Sequence, residues 1–280
     1  MRDSVQTILV PYDSGFHRRR MGAGPRCLVD AGVLESISQD VSIAEYAPDE
    51  TFRGEVASAF DIQRWLATTV AAARQRGACP LVLAGNCFTS LGTCGGLGAG
   101  ARRVGVIWFD AHADFNTPET SGTGFLDGMA LATLVGRCWA DMTAALPNFA
   151  PVDEGSVLLI GARDLDPAET VALDRSRVRR PDTLDMRDCI AALDALRDKV
   201  DEVYVHVDLD VLDVSEARVN QYACAGGLSR SRLAELIAAI RARFTIGTLA
   251  LTAYDPSFDP AGLVPPIARA VVHAGVGPLQ

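Results

Sequence analysis

The stretch VGVIWFDAHAD at residues 104–114 decides the fold of this chain and indicates its chemistry. Its first six residues form an uninterrupted apolar run, which is typical of a strand covered on both faces in a parallel sheet. Asp110, His112 and Asp114 follow that strand at alternate positions. Because residues two apart in an extended chain point to the same side, we expect two carboxylates and one imidazole to converge there.

A second acidic cluster, HVDLDVLD at residues 206–213, follows another apolar run and again places aspartates two apart, at Asp208 and Asp210. One such cluster alone would also fit a turn with solvated acids. Two clusters at two strand ends would raise each other's carboxylate pKa values unless cations bound there. Two divalent cations about 3.5–4 Å apart can share a hydroxide that is nucleophilic at neutral pH, so the pattern favours a two-metal hydrolase.

Carboxylate-rich sites with one imidazole suit Mn²⁺, whereas thiolate-rich sites suit Zn²⁺. The sequence therefore predicts a manganese pair. His206 lies within the second strand, and we expect it to support the site or the core rather than to bind metal.

Around these clusters, apolar runs of strand length alternate with helical patterns, which predicts a parallel sheet with helices on both faces. Residues 1–280 are expected to form a single α/β domain, a three-layer α-β-α sandwich with a mainly parallel sheet. The predicted strands are Thr7–Val10, Leu81–Ala84, Val104–Phe109, Val157–Ile160, Val203–Val207 and Leu249–Tyr254. The predicted helices are Phe60–Arg76, Met186–Lys199, Ser229–Arg243 and Leu263–His273.

Three segments between these elements carry further signals. The irregular stretch Asn116–Gly128 follows a strand end, where open parallel sheets build their active sites. Gly247 is interpreted as a terminator of the preceding helix. The glycine-rich stretch Gly92–Gly100 lacks the spacing of a nucleotide-binding loop, so no nucleotide site is expected there.

Composition narrows the class of protein. The chain has 49% hydrophobic residues and a formal charge of −9 with no basic stripe, so nucleic acid is not an expected partner. No apolar run approaches the roughly 18 residues of a membrane span. The N-terminus has no secretory pattern and the seven cysteines show no CxxC spacing, which favours a reducing cytoplasm.

The two acidic clusters resemble the metal-binding motifs of the arginase, or ureohydrolase, family, and the resemblance runs over nearly the whole chain. VPYDSG at residues 10–15 is similar to that family's first strand and loop, and GARDLDP at residues 161–167 is similar to a substrate-binding segment. The resemblance implies an arginase-like fold, two Mn²⁺ ions and attack of a metal-bridging hydroxide on a guanidino carbon. The products would be ornithine and a urea-type molecule.

The same resemblance implies roles for individual residues. Asp110 and Asp208 would bridge the two ions and take part directly in catalysis. Cys87 and Asp114 would complete the coordination of the first ion, and His112 and Asp210 would complete that of the second. The acids that hold the substrate's α-amino group would be Asp164, Asp166 and Glu169. Asn116 and Ser121 match positions on the α-carboxylate side, so the resemblance favours an α-amino acid substrate.

Four positions depart from the family pattern. Cys87 stands where the family has a metal-binding histidine, although a buried free cysteine that only packs is the alternative. Asp127 stands where arginases have a catalytic histidine, and a simple helix-capping aspartate is the alternative. Ala253 replaces the glutamate that grips the guanidinium, with a shifted role for Asp255 left open. Tyr222 replaces a small hydroxyl residue, which would reduce the pocket.

These departures argue against ordinary L-arginine, because a lost carboxylate weakens binding of a cationic guanidinium. They resemble the branch of the family that hydrolyses Nω-hydroxy-L-arginine to hydroxyurea and L-ornithine in D-cycloserine biosynthesis, since N-hydroxyguanidines are largely neutral near pH 7. The alternatives are another ureohydrolase, acting on arginine, agmatine, a guanidino acid or a formimino amino acid, and a metal-binding homologue without turnover. Homo-oligomers are possible, as in other family members.

Overall fold

The computed structural model describes residues 4–37, 40–47, 54–98 and 103–278. Within those ranges, one parallel sheet of seven strands and one short hairpin make up the β-structure. The sheet strands are β1 (Ser4–Val10), β4 (Asp40–Glu45), β5 (Cys79–Ala84), β6 (Val104–Phe109), β7 (Val157–Ile160), β8 (Glu202–Asp208) and β9 (Ile246–Thr252). The hairpin strands are β2 (Tyr12–Asp13) and β3 (Phe16–His17).

Helices cover both faces of the sheet, which confirms the predicted three-layer sandwich. They are α1 (Gly24–Asp30), α2 (Glu55–Gln75), α3 (Ser90–Leu97), α4 (Ala130–Leu134), α5 (Ala140–Ala144), α6 (Pro167–Asp174), α7 (Met186–Arg197), α8 (Arg230–Arg243) and α9 (Val264–Val276). Side chains of α1, α7, α8 and α9 share one buried core with one face of the sheet. Those of α2, α3, α4 and α6 share a second core with the other face. No helix in the described ranges is long and apolar enough to cross a membrane.

The alternation of strand residues explains the two cores. In β6, Ile107 and Phe109 belong to one core, whereas Val106 and Trp108 belong to the other. Both sets are fully buried, as the uninterrupted apolar run predicted. The bounds of β6 and β7 match the prediction, and β5, β8 and β9 overlap the predicted strands with ends shifted by one to three residues.

Two glycine-containing segments singled out in the sequence, Gly247 and Gly92–Gly100, lie mostly within regular secondary structure where the structure describes them. The prediction that Gly247 terminates a helix is wrong, because Gly247 lies within β9. The helix ends instead at Arg243, followed by Phe244 in extended backbone, and a side chain at Gly247 would press on Leu97 and Arg74. The stretch from Gly92 forms most of α3, and residues 99 and 100 lie outside the described residues.

Strand order brings distant segments to one edge. The sheet order is β4-β1-β5-β9-β8-β6-β7, with every adjacent pair parallel. The carboxyl ends of β5, β9, β8 and β6 are therefore neighbours at the same edge, where both acidic clusters and the Cys87 segment emerge.

Close packing of α3 on α2 fixes the segment that follows β5, because α3 begins directly after the 3-10 turn Cys87–Thr89. A Cβ added at Gly96 would lie 2.5 Å from Val70 Cβ. We therefore expect Gly96→Ala to lower the free energy of unfolding by about 1–3 kcal/mol through overpacking. Denaturant unfolding measures this.

Gly122→Ala is the control, since a Cβ there meets nothing within 4 Å. Its effect is expected to stay within about 0.5 kcal/mol. Equal unfolding free energies for the Gly96→Ala variant and wild type would contradict the close packing.

Candidate metal centre

The predicted ligands lie close together at the carboxyl ends of three strands. Asp110 follows β6, Asp208 ends β8, and Cys87 lies in the turn after β5. These three residues are almost completely buried, with 1%, 4% and 1% exposed respectively. The parallel sheet thus converts residues far apart in the chain into one cluster.

Two triads of possible ligand atoms share Asp110. One contains Cys87, Asp110 and Asp114, and the other contains Asp110, His112 and Asp210. In each triad the ligand atoms lie within 4.8 Å of one another. The arrangement offers two adjoining cation sites with Asp110 common to both.

Asp208 lies beside both triads. Its Oδ2 is 3.0 Å from Cys87 Sγ, and its Oδ1 accepts a hydrogen bond of 2.8 Å from the backbone N–H of Asp210. The structure therefore brings all six predicted ligands together.

The electrostatics of the cluster fit a cation. Burial and the charge of Asp110 raise the pKa of Asp114 well above its ordinary value. Burial and the charge of Asp210 do the same to the pKa of Asp208. Within the described part of the chain, the buried Asp114 Oδ2 has no hydrogen-bond partner. Unpaired buried carboxylate oxygens are costly, and a divalent cation would supply the missing partner.

Residues that the sequence reasoning missed orient these carboxylates. Trp108 Nε1 donates to Asp110 Oδ2 at 3.0 Å. Asn220 Nδ2 donates to Asp210 Oδ2 at 3.3 Å and to the carbonyl of Ala253 at 2.9 Å. Trp108 lies in β6 two residues before Asp110, and this spacing could have indicated its role. Nothing in the spacing of Asn220 indicated a contact with Asp210.

The two histidines near the cluster differ. Burial lowers the pKa of His112, but its hydrogen bond to Asp110 and the charge of Asp210 raise that pKa to about 10. His112 Nδ1 lies 3.2 Å from Asp110 Oδ1 and 3.4 Å from Asp210 Oδ2. His206 is completely buried behind the cluster, stacked on Trp108 with ring centroids 3.7 Å apart. His206 thus occupies the supporting position that was predicted.

Asp127 is a buried acid on the pocket wall. Its Oδ1 accepts a hydrogen bond of 2.7 Å from the backbone N–H of Phe88, and its Oδ2 accepts one of 2.9 Å from Asn86 Nδ2. It therefore caps the turn that contains Cys87 and not the helix that follows Asp127 itself. Burial raises the pKa of Asp127 to about 8.

A cavity of about 260 Å³ opens above the cluster. Most of the predicted metal ligands line this cavity. The five predicted substrate-contact residues line it as well, namely Asn116, Ser121, Asp164, Asp166 and Glu169. The loop 116–128 supplies one wall, as predicted from its place after β6.

Hydrogen bonds within the pocket already engage some of these residues. Asn116 Nδ2 donates to Asp166 Oδ2 at 3.0 Å. Both oxygens of Glu169 accept backbone N–H groups, from Phe115 at 2.8 Å and from Asp166 at 3.2 Å. Ser121 Oγ accepts from the backbone of the same loop at 3.0 Å.

The departures from the family pattern face the same cavity. Ala253 lines it, with a left-handed backbone (φ 63°). Tyr222 lines it as well, with its ring stacked on Phe125 at 5.8 Å. Asp255 is not among the described residues that line the cavity, and its Oδ1 accepts hydrogen bonds from the backbone N–H and the hydroxyl of Ser257, so the geometry does not support a shifted role.

Comparisons with known proteins agree with this geometry. The profile of the arginase family matches residues 3–274. The arginase of Bacillus caldovelox is 31% identical over 245 residues, covering 80% of this chain and 82% of that protein. The arginase of Bacillus subtilis strain 168 is 30% identical over 246 residues, covering 82% of each. A crystal structure of arginase from Bacillus subtilis superposes with a TM-score of 0.90 at 27% identity, covering 99% of both chains.

Replacement of the shared ligand tests the two-triad arrangement. Asp110→Asn is expected to reduce manganese binding at both sites, whereas Asp114→Asn should reduce it at one, because only Asp110 belongs to both triads. Metal analysis of the purified proteins after equilibration with Mn²⁺ gives the ions bound per chain.

Asp213→Asn provides a matched control, since that carboxylate accepts hydrogen bonds from Ser215 and Gly226 outside the triads. Wild-type manganese content in the Asp110→Asn variant would exclude a shared ligand.

Proposed function

The chain belongs to the arginase family, whose members hydrolyse carbon–nitrogen bonds of linear amidines, and we propose that its substrate is Nω-hydroxy-L-arginine. The products of that reaction are hydroxyurea and L-ornithine. Such a reaction fits antibiotic biosynthesis of the D-cycloserine type.

The proposed cofactor is a pair of Mn²⁺ ions. Cys87 and Asp114 would hold one ion, His112 and Asp210 the other, and Asp110 with Asp208 would contact both. When bound, the pair supplies an acidified water molecule as the nucleophile. Trp108 donates a hydrogen bond to Asp110 and Asn220 donates one to Asp210, and these contacts fix both carboxylates before metal binds. Such outer partners support affinity in metal sites.

The observation that carries the substrate proposal is Ala253. Its side chain faces the cavity where the resemblance implies a glutamate, and the nearby Asp255 is engaged with Ser257. An arginine guanidinium stays charged at any physiological pH, so transfer into this pocket without a bidentate carboxylate is unfavourable. A largely neutral N-hydroxyguanidine loses much less from that missing contact.

The opposite end of the pocket fits an α-amino acid. Asp164 and Asp166 offer carboxylates to an α-ammonium group, and Asn116 offers an amide next to them. These groups support an amino acid substrate over a decarboxylated amine. Glu169 then acts chiefly by holding the loop and the start of α6, because its oxygens are already engaged.

Asp127 is the proposed proton donor to the leaving amine. Burial favours its neutral acid form, and a neutral carboxylic acid has a proton to transfer near pH 7. Each of its oxygens accepts one N–H and keeps a second lone pair.

One alternative, hydrolysis of L-arginine itself, is supported by the names of the relatives, which are arginases. Another ureohydrolase substrate, such as agmatine or a formimino amino acid, is disfavoured by the amino acid end of the pocket. A cytoplasmic location and assembly into homo-oligomers stay predictions from the sequence.

Product analysis decides between the substrates. We expect the manganese-loaded protein to have a higher kcat/KM for Nω-hydroxy-L-arginine than for L-arginine, with hydroxyurea and ornithine as products. Chromatography of the amine products and a colour assay for hydroxyurea measure both. Faster turnover of L-arginine would overturn the proposal, and saturable binding without any product would favour a non-catalytic homologue.

Restoring the missing carboxylate tests the reason for the preference. Ala253→Glu is expected to raise kcat/KM for L-arginine by about tenfold to a hundredfold, since hydrogen bonds to charged groups contribute roughly 1.5–3 kcal/mol. Ala253→Gln is the matched control of equal size without charge. The idea fails if glutamate and glutamine give the same change.

A further inference from the structure

A buried polar chain runs behind Cys87 and is not used by the mechanism above. It consists of Tyr204, His206 and Thr252, which lie on the neighbouring strands β8 and β9 and are at most 1% exposed. Polar groups that deep in a sandwich core are costly unless they are hydrogen-bonded. Their arrangement therefore requires an explanation.

The contacts form a continuous line. Tyr204 Oη lies 2.7 Å from His206 Nδ1, and His206 Nε2 lies 3.3 Å from Thr252 Oγ1. Thr252 Oγ1 then lies 3.1 Å from Cys87 Sγ. The line ends on the sulfur that faces the proposed metal site.

The direction of the protons follows from the sulfur. A metal-binding thiolate has no proton, so Thr252 must donate to it. Thr252 Oγ1 then accepts from His206 Nε2–H, and the bare His206 Nδ1 accepts from the Tyr204 hydroxyl. One neutral tautomer of His206, with its proton on Nε2, satisfies every contact in this line.

Cys87 has a second possible partner. Its Sγ lies 3.0 Å from Asp208 Oδ2, to which a protonated thiol donates. In that form one hydrogen bond occupies two proposed ligands at once. Thr252 then has the carbonyl of Val207 as an alternative acceptor, at 3.4 Å.

We propose that Tyr204, His206 and Thr252 form a positioning chain that orients the sulfur of Cys87 for metal binding through the hydrogen bond from Thr252. The proposal rests on the proposed function, in which Cys87 is a ligand. The chain touches neither substrate nor the reacting atoms, and it acts through the sulfur alone.

Binding of Co²⁺ in place of Mn²⁺ tests the positioning chain without an activity measurement. Co²⁺ bound to a thiolate gives a sulfur-to-metal charge-transfer band in the near ultraviolet, and titration with Co²⁺ gives the affinity. Thr252→Val removes the donor, and we expect about tenfold or greater loss of Co²⁺ affinity, as for other outer partners of metal ligands. The band should move to longer wavelength, since the unbonded sulfur lone pairs rise in energy.

Two further Thr variants separate this effect from a general loss of packing. Thr252→Ser keeps the hydroxyl and should retain the wild-type band and affinity. Thr248→Val makes the same replacement on the same strand, at a fully buried threonine whose hydroxyl has no partner among the described residues. It should leave both readings unchanged.

Tyr204→Phe cuts the far end of the chain and leaves the stacking of His206 on Trp108 in place. We expect a smaller loss of affinity and a smaller band shift in the same direction as for Thr252→Val. If the Thr252→Val variant fails to fold, the Tyr204→Phe variant alone tests the proposal. A wild-type Co²⁺ affinity and charge-transfer band in Tyr204→Phe would then overturn the positioning chain.

The outcomes distinguish the two proposals. If wild-type protein loaded with Co²⁺ has no sulfur-to-metal band, Cys87 is not a ligand, and both the assignment of Cys87 as a ligand and the positioning chain fail. If the band is present in wild type and unchanged in Thr252→Val, only the positioning chain is overturned. The substrate assay with Mn²⁺ stands apart from both readings.

Discussion

Mutual repulsion of buried carboxylates is the constraint on which this structure depends. Four aspartates and a cysteine meet at the carboxyl edge of four adjacent parallel strands, almost completely shielded from water. Backbone and side-chain N–H groups donate hydrogen bonds to some of the carboxylate oxygens. One buried oxygen of Asp114 has no hydrogen-bond partner among the described residues. Positive charge relieves this repulsion, so the four aspartates, the imidazole of His112 and the proposed pair of divalent cations form one site.

Much of the fold could be predicted because the signals were local. Continuous apolar runs identified the central strands, and the cap at Ser229 marked the start of α8, where its hydroxyl accepts the backbone N–H of Arg232. Strand β4 gave no such signal, since it lies at the sheet edge with exposed residues. The prediction for Gly247 was wrong because, in the sequence alone, a glycine required for close packing looks the same as one that ends a helix.

Prediction of the site was limited by tertiary arrangement. The acidic clusters could be found because each follows its own strand within a few residues. The contacts of Asn220 with Asp210, and of Asp127 with the Cys87 turn, exist only because β5, β9, β8 and β6 adopt that lateral order. Strand order is not written in any local pattern. The proposed substrate likewise rests on position 253, where alanine stands in place of the carboxylate that the family resemblance implies, and this replacement can be interpreted only together with the other residues of the pocket.

The lateral order of the strands also governs when the site comes into existence. Cys87 and Asp208 touch although 121 residues separate them, and Cys87 and Thr252 touch across 165 residues. Contacts of such long sequence separation form late in folding, after the entropic cost of large loop closures. The proposed metal centre would therefore be complete only once the sheet has assembled, and metal capture would follow assembly of the sheet rather than nucleate it.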